Sequence, residues 1–220
     1  MGKYRCSSIC KKQIVAITGL LLVLFLIMHL AGNLLIYKGP EAINGYSQTL
    51  HSLGGLLWVA RIGLLAVFLT HIIFTILVVI ENRKARPTPY EGGASYKQRS
   101  LATRLMPYTG TILLAYIISH LLDFTIVSKG GSATFINGQN FGLYGRIVNE
   151  FGELDAVLWY VIAMGAIGFH LAHGIQSVMQ SFGWNHPVYT PLVKKMSVLV
   201  GTGIAVAFAS IPIYIWLVIS

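Results

Sequence analysis

Five long apolar stretches, separated by short polar segments, dominate the chain. Each is long enough to cross the hydrocarbon core of a bilayer, which takes ~20 helical residues at a rise of ~1.5 Å per residue. None alternates apolar and polar residues as a membrane-spanning strand does, and a helix satisfies its own backbone hydrogen bonds in lipid. We therefore predict one all-α integral membrane domain over residues 1–220, a bundle with helices at about 13–37, 53–80, 105–127, 156–182 and 196–219.

The composition supports this prediction. The chain is 55% hydrophobic and only 10% charged, whereas a soluble domain carries about 25% charged residues. No internal repeat, low-complexity tract or soluble domain is evident. The segment between the third and fourth spans is rich in glycine and asparagine and contains aromatic residues, so we regard it as a candidate cap over one end of the bundle.

Basic residues gather on one side of the predicted bundle. If successive spans alternate in direction, twelve of the sixteen Lys and Arg residues lie on the side of the N-terminus. Cytoplasmic flanks of membrane spans are enriched in these residues, so we expect a cytoplasmic N-terminus and an external C-terminus. Anionic lipid headgroups or a docked partner explain the net charge of +9 better than nucleic acid does. The twelve are Lys3, Arg5, Lys11, Lys12, Arg83, Lys84, Arg86, Lys97, Arg99, Arg104, Lys194 and Lys195.

Five of the seven histidines fall inside predicted spans: His29, His71, His120, His170 and His173. Ionisable residues are costly inside a membrane, and each is therefore a functional candidate. A single intramembrane histidine often serves only as a hydrogen-bonding group between helices. That explanation is weaker here, because each of the first four spans contributes at least one.

The depths of these histidines indicate two levels. His29 and His120 each lie nine residues before the lysine at the outer end of their span, ~13 Å along the helix. His71 and His170 lie twelve and thirteen residues before the inner ends of theirs, roughly 18–20 Å along the helix. We expect one pair at each level.

Paired imidazoles on facing helices can fill the two axial positions of a haem iron. The chain has no Cys-x-x-Cys-His motif for covalent attachment, so the prediction is two non-covalent b haems. Zinc is a weaker interpretation, because Asp123 is the one carboxylate among the spans. His170 and His173 lie one turn apart and only one is needed. Depth favours His170, which leaves His173 for a haem propionate or a quinone.

Three polar residues at the inner start of the third span are candidate partners for haem propionates: Arg99, Thr103 and Arg104. Arginine suits bidentate recognition of carboxylates. The two arginines equally suit a role as anchors at the cytoplasmic surface.

Short motifs surround the intramembrane histidines. They are His29-Leu-Ala-Gly-Asn, Thr103-Arg104-Leu-Met106, His120-Leu-Leu-Asp123-Phe124 and His170-Leu-Ala-His173-Gly174, followed by Phe182-Gly183-Trp184. Together with five spans and a histidine in each of the first four, they resemble the five-helix, di-haem cytochrome b subunit of succinate dehydrogenases and fumarate reductases. The resemblance covers nearly the whole chain. It implies that His29 and His120 bind the outer, distal haem and that His71 and His170 bind the inner, proximal haem.

The resemblance also implies partners and a location. The family's subunit lies in the inner membrane of a prokaryote and carries electrons between a membrane quinone, here expected to be menaquinone, and an iron–sulfur subunit on the cytoplasmic face. A flavoprotein subunit interconverts succinate and fumarate. This chain has no nucleotide or flavin fingerprint, so we do not expect that chemistry here. Family members with a transmembrane proton route carry a glutamate two residues before the fourth-helix ligand, where this chain has Gly168.

Quinone chemistry needs a proton donor or acceptor beside the ring. The outer segment between the first two spans and the start of the second span offer four candidates. A solvated loop would accommodate the same residues. They are Glu41, Tyr46, His51 and Arg61.

Two alternatives stay open. One keeps the haems but changes the partner, to a hydrogenase or a formate dehydrogenase. The other is a cofactor-free transporter or assembly anchor whose histidines relay protons.

Overall fold

A computed structural model describes residues 7–85, 101–126 and 134–219, with residues 101–103 described by their backbone alone. Seven α-helices occur in these ranges. They are α1 (Ser8–Asn33), α2 (Pro40–Ser52), α3 (Gly55–Lys84), α4 (Leu101–Leu121), α5 (Gly142–Phe151), α6 (Leu154–Ser181) and α7 (Thr190–Tyr214). Of these, α1, α3, α4, α6 and α7 are long and apolar enough to cross a membrane, the architecture of a multi-pass membrane protein.

Three of the long helices end in a different helical form. A 3₁₀ segment, Leu34–Lys38, continues α1, and π-helical segments, Leu122–Ile126 and Ile215–Ile219, continue α4 and α7. Such changes of hydrogen-bond register are common at helix ends and near functional sites. In α4 the change begins two residues after His120.

The first and fifth long helices begin earlier than the hydropathy pattern predicts. α1 starts at Ser8, where the side chain of Ser7 caps it by accepting a hydrogen bond from the backbone N–H of Cys10. α7 starts at Thr190 with a proline in its first turn. Lysines on both helices end the apolar run, but they do not end the helix, because a charged side chain leaves backbone hydrogen bonding intact.

α6 is the central helix of the bundle. It packs against α1, α4 and α7, whereas α3 packs against α1 and buries none of its residues. The contact between α6 and α7 is close: a Cβ atom added to Gly201 would lie 2.7 Å from the carbonyl oxygen of Gly168 and 2.9 Å from the backbone nitrogen of Ala172. Small residues are the usual means by which membrane helices approach closely.

Two short helices and a hairpin cover the end of the bundle where α1 finishes, which we call the Lys38 end. The hairpin pairs Phe135–Ile136 with Gln139–Asn140 through an Asn137-Gly138 turn in which both residues have positive φ. Asn44 of α2 joins this cover, because its side chain donates to the carbonyl of Phe141 at 2.9 Å and accepts from the N–H of Tyr144 at 3.1 Å. The sequence predicted a cap here but neither α2, α5 nor the hairpin.

Candidate functional site

His29 of α1 and His120 of α4 face each other across the bundle. Their ring centroids are 5.8 Å apart and their planes are perpendicular. Two imidazoles that share one metal ion, with metal–nitrogen bonds of ~2 Å, would have ring centres roughly 6 Å apart. We call these residues the His29–His120 pair.

Aromatic side chains enclose the His29–His120 pair. Phe25 and Phe208 lie 5.3 and 6.0 Å from the His29 ring, centroid to centroid. Tyr116 and Phe124 lie one turn on either side of His120, at 5.7 and 5.3 Å.

A hydroxyl from α6 fixes the His120 ring. The Tyr160 hydroxyl and His120 Nδ1 form a hydrogen bond of 2.9 Å. Tyr160 is itself buried between Tyr116 and Phe151, with ring centroids at 4.9 and 4.6 Å. The bond occupies Nδ1 and leaves Nε2 of His120 available to a metal.

His71 of α3 and His170 of α6, which we call the His71–His170 pair, lie close enough for their charges to interact. Each ring is held by a threonine on the neighbouring helix. Thr18 Oγ1 of α1 is 3.2 Å from His71 Nδ1, and Thr109 Oγ1 of α4 is 3.3 Å from His170 Nδ1. As with His120, the nitrogen left over in each ring is Nε2.

The two pairs lie at different depths. On α1, Thr18 marks the level of His71 and His29 marks the level of the other pair, eleven residues further on. On α4, Thr109 and His120 are separated by the same eleven residues. At ~1.5 Å per residue, the two levels are roughly 16 Å apart along the helices.

The helices that bear each pair are not in direct contact over their length. Directly packed helices lie about 8–10 Å apart. In the part of the chain that the structure describes, α1 with α4 and α3 with α6 share little or no packing of that kind, although α1 packs on α3 and α4 packs on α6. A planar macrocycle between two imidazoles requires this separation, so the arrangement fits haem at both levels.

The structure separates the two histidines of α6. His170 carries the contact with Thr109, and His173 is half-buried one turn further on, within electrostatic range of His170. Arg104 lies exposed near the start of α4. Arg99 and the side chain of Thr103 lie outside the described residues.

The four quinone-site candidates are placed differently from one another. The Tyr46 ring packs on α1 one turn after His29, where a Cβ added to Gly32 would be 2.6 Å from Tyr46 Cε1. His51 is exposed, and its Nδ1 lies 2.8 Å from the carbonyl of Ser47 in its own helix. The Arg61 guanidinium lies 5.2 Å from the centre of the Trp58 ring, and Glu41 is exposed. Tyr46 is therefore the candidate for which the structure shows a contact with α1, one turn after His29.

Sequence reasoning missed the two threonines, although the chain carries a signal for them. Thr18-Gly19 precedes His29 and Thr109-Gly110 precedes His120, each with nine residues between glycine and histidine. Eleven residues are just over three helical turns, so threonine and histidine share one face of each helix. This spacing is a short repeat that the hydropathy pattern does not reveal.

The described residues hold no group of three or more His, Cys, Asp or Glu side chains suited to a metal ion. Haem iron takes four ligands from its porphyrin and needs only two from the protein.

Comparison of the chain with protein-family models, with curated proteins and with solved structures finds no match.

Proposed function

We propose that this protein is the membrane-anchor cytochrome b subunit of a succinate:quinone or quinol:fumarate oxidoreductase. In this role it carries electrons between a membrane quinone, menaquinone in the first instance, and an iron–sulfur subunit. The observation that supports the proposal best is the presence of two sets of paired imidazoles at two depths, on helices that share little or no direct packing.

Haem, when bound, supplies one-electron redox chemistry. The chain's own residues account for its binding. His29 and His120 would hold one haem, and His71 and His170 the other. The hydrogen bonds to Nδ1 of three of these rings orient them, and the aromatic side chains around His120 keep water from the ring.

The proposed orientation puts the N-terminus and the iron–sulfur partner in the cytoplasm of a prokaryote. The described basic residues near the start of α1, the end of α3 and the starts of α4 and α7 lie at one end of the bundle, which we call the Ser7 end. Such a cluster favours both the cytoplasmic leaflet and an acidic docking surface. The residues are Lys11, Lys12, Arg83, Lys84, Arg104, Lys194 and Lys195.

The quinone would bind at the Lys38 end, beside the His29–His120 pair. The contact of Tyr46 with α1 supports this location. A phenol hydroxyl can exchange a proton with a quinone oxygen, and Tyr46 is 38% exposed, so the ring is within reach of a molecule that diffuses in from the lipid.

The decisive experiment is purification of the complex from native membranes, with haem quantification and identification of the copurifying subunits. We expect two b haems per chain, a b-type reduced-minus-oxidised spectrum, and a flavoprotein with an iron–sulfur protein. Absence of a b-type signal from the assembled complex would refute the haem proposal and leave a proton-relay protein. Two haems with hydrogenase or formate dehydrogenase subunits would keep the haems and change the reaction.

A further inference from the structure

We propose that Thr18 and Thr109 are positioning residues that select the tautomer of His71 and His170 and hold each ring for iron. This inference rests on the proposed function, because it assigns a role toward the haem of the His71–His170 pair. It starts from the hydrogen bonds of the two threonines.

A threonine hydroxyl has a single hydrogen to donate. Thr18 Oγ1 donates to the carbonyl of Ile14 at 2.7 Å, and Thr109 Oγ1 donates to the carbonyl of Leu105 at 3.1 Å. Both are bonds to the preceding turn of the threonine's own helix. With its hydrogen used in this way, each oxygen can only accept from the imidazole that faces it.

The imidazole must therefore carry its proton on Nδ1. A neutral imidazole has one N–H, so Nε2 of both rings is left with a free lone pair. That is the tautomer that binds a metal through Nε2, with Nδ1–H donated to an acceptor in the surrounding shell. By binding the threonine hydroxyl, the backbone of α1 and of α4 thus selects which ring nitrogen carries the proton in a histidine on another helix.

The glycine after each threonine lies against the histidine ring. A Cβ added to Gly19 would lie 3.2 Å from His71 Cε1, and one added to Gly110 would lie 3.7 Å from His170 Cε1. The first distance is tight and the second is an ordinary contact. On each helix, Thr-Gly therefore forms a small surface for the ring, which we call the cradle: the threonine hydroxyl accepts a hydrogen bond, and the glycine beside it carries no side chain.

The cradle occurs twice with the same relation to a histidine of the other pair. Thr18-Gly19 lies eleven residues before His29 on α1, and Thr109-Gly110 lies eleven residues before His120 on α4. Each of these helices would thus supply an iron ligand at one level and an acceptor for an iron ligand at the other. Because both residues lie on the same helix, the distance between the two levels is set by the helical rise of α1 and α4 and not by loops.

An acceptor on Nδ1–H makes the imidazole a stronger electron donor to the metal, which favours the ferric form. Thr18→Val and Thr109→Val keep the shape of the side chain and remove the acceptor. Both variants act on the haem of the His71–His170 pair. We expect each to raise the midpoint potential of that haem, to change its low-temperature electron paramagnetic resonance signal, and to weaken its binding about 10- to 100-fold. The other haem should keep its potential.

Matched variants separate this role from packing. Thr18→Ser and Thr109→Ser retain the hydroxyl and should restore potential and signal. Thr111→Val, whose hydroxyl bonds to the Pro107 carbonyl on the exposed side of α4, should change neither haem. The full-length protein is used throughout, with haem content, redox titration and resonance spectra as readouts.

The outcomes are distinguishable. A wild-type protein that contains no b haem refutes the proposed function itself. A wild-type protein with two haems, and a Thr18→Val/Thr109→Val double variant with the same potentials and signals, overturns the positioning role alone. Serine variants that behave like the valine variants also overturn it, since the hydroxyl would then not be the cause.

Discussion

The two histidine pairs are held by different means. At the His71–His170 level, each ring bonds to a threonine whose hydroxyl is anchored to its own helix backbone. At the His29–His120 level, a tyrosine bonds to His120, and phenylalanine and tyrosine rings enclose both histidines. The described residues show no hydrogen bond to a ring nitrogen of His29. The rings of the His71–His170 level are held by hydroxyls anchored to helix backbone, whereas those of the His29–His120 level are held mainly by surrounding aromatic side chains.

This difference has consequences for a cofactor at each level. Second-shell hydrogen bonds set ring orientation and ligand basicity, whereas an apolar shell controls access of water and the local dielectric. We therefore expect the two haems to respond to different substitutions.

The largest effect is expected from removal of an imidazole. His29→Ala or His120→Ala should abolish one haem, and His71→Ala or His170→Ala the other, because each haem would then keep only one of its two protein ligands. Haem content and the reduced-minus-oxidised spectrum measure the loss. His186→Ala, in the exposed segment between α6 and α7, is the control and should keep both haems.

A His170→Ala protein that retains both haems would contradict the assignment on α6. The ligand would then be His173, which lies one turn away on the same helix.

The second effect concerns the back of the helix that bears His170. Gly201→Ala would put a methyl group 2.7 Å from the Gly168 carbonyl oxygen, two residues before His170. Because backbone atoms cannot yield, we expect α7 to move away from α6, at a cost of about 1–3 kcal/mol in free energy of unfolding, with haem lost first from the His71–His170 level. Thermal denaturation and haem retention in detergent measure both.

Gly203→Ala is the matched control, since nothing lies within 4 Å of a Cβ there. It should preserve or slightly raise stability, because alanine favours helix over glycine by about 1 kcal/mol. Equal destabilisation by the two substitutions would show that the close contact of α6 and α7 is not the cause.

The third effect should fall on the opposite level. Tyr160→Phe keeps the buried ring and removes the hydroxyl that bonds to His120 Nδ1. We expect a loss of about 0.5–1.5 kcal/mol in free energy of unfolding and a changed midpoint potential for the haem of the His29–His120 pair alone. Redox titration checks the prediction. Tyr108→Phe, at an exposed position of α4, should leave both potentials unchanged; a shift of the other haem in Tyr160→Phe would contradict the separation of the two levels.

The smallest effect is expected at the Ser7 end. Lys11 Nζ pairs with Glu81 Oε1 and joins the start of α1 to the end of α3. The Glu81 side chain is 41% exposed, so Glu81→Gln should cost no more than about 1 kcal/mol in free energy of unfolding. Denaturation at low and high salt measures it, with Lys12→Met as the exposed control. A loss of haem from either level would show that this ion pair holds α3, the peripheral helix, in register.

The sequence was sufficient for the number and type of the long helices. Five apolar runs of spanning length leave few alternatives, because lipid forces backbone groups to bond within each helix. It also indicated the depth of His29, His71, His120 and His170, since helical rise is constant. The ends of α1 and α7 were less accessible, because hydropathy reports where lipid ends and not where the helix ends.

Two features of the fold have local signals in the sequence. Asn137-Gly138 is the typical turn of a two-residue hairpin, and the repeated spacing from Thr-Gly to His marks one face of α1 and of α4. The roles of the hairpin and of the Thr-Gly pairs depend on residues from distant parts of the chain that pack against them. The short segments alone do not show which residues those are.

What only the tertiary structure decided is which faces meet. Spans that are apolar all round offer no contrast between a face toward lipid and a face toward protein, and association depends instead on shape and on a few hydrogen bonds. Nothing in composition singled out α6 as the central helix or α3 as the peripheral one. The sequence thus indicated that imidazoles lie at two levels along the helices, and the tertiary structure decided that His29 faces His120.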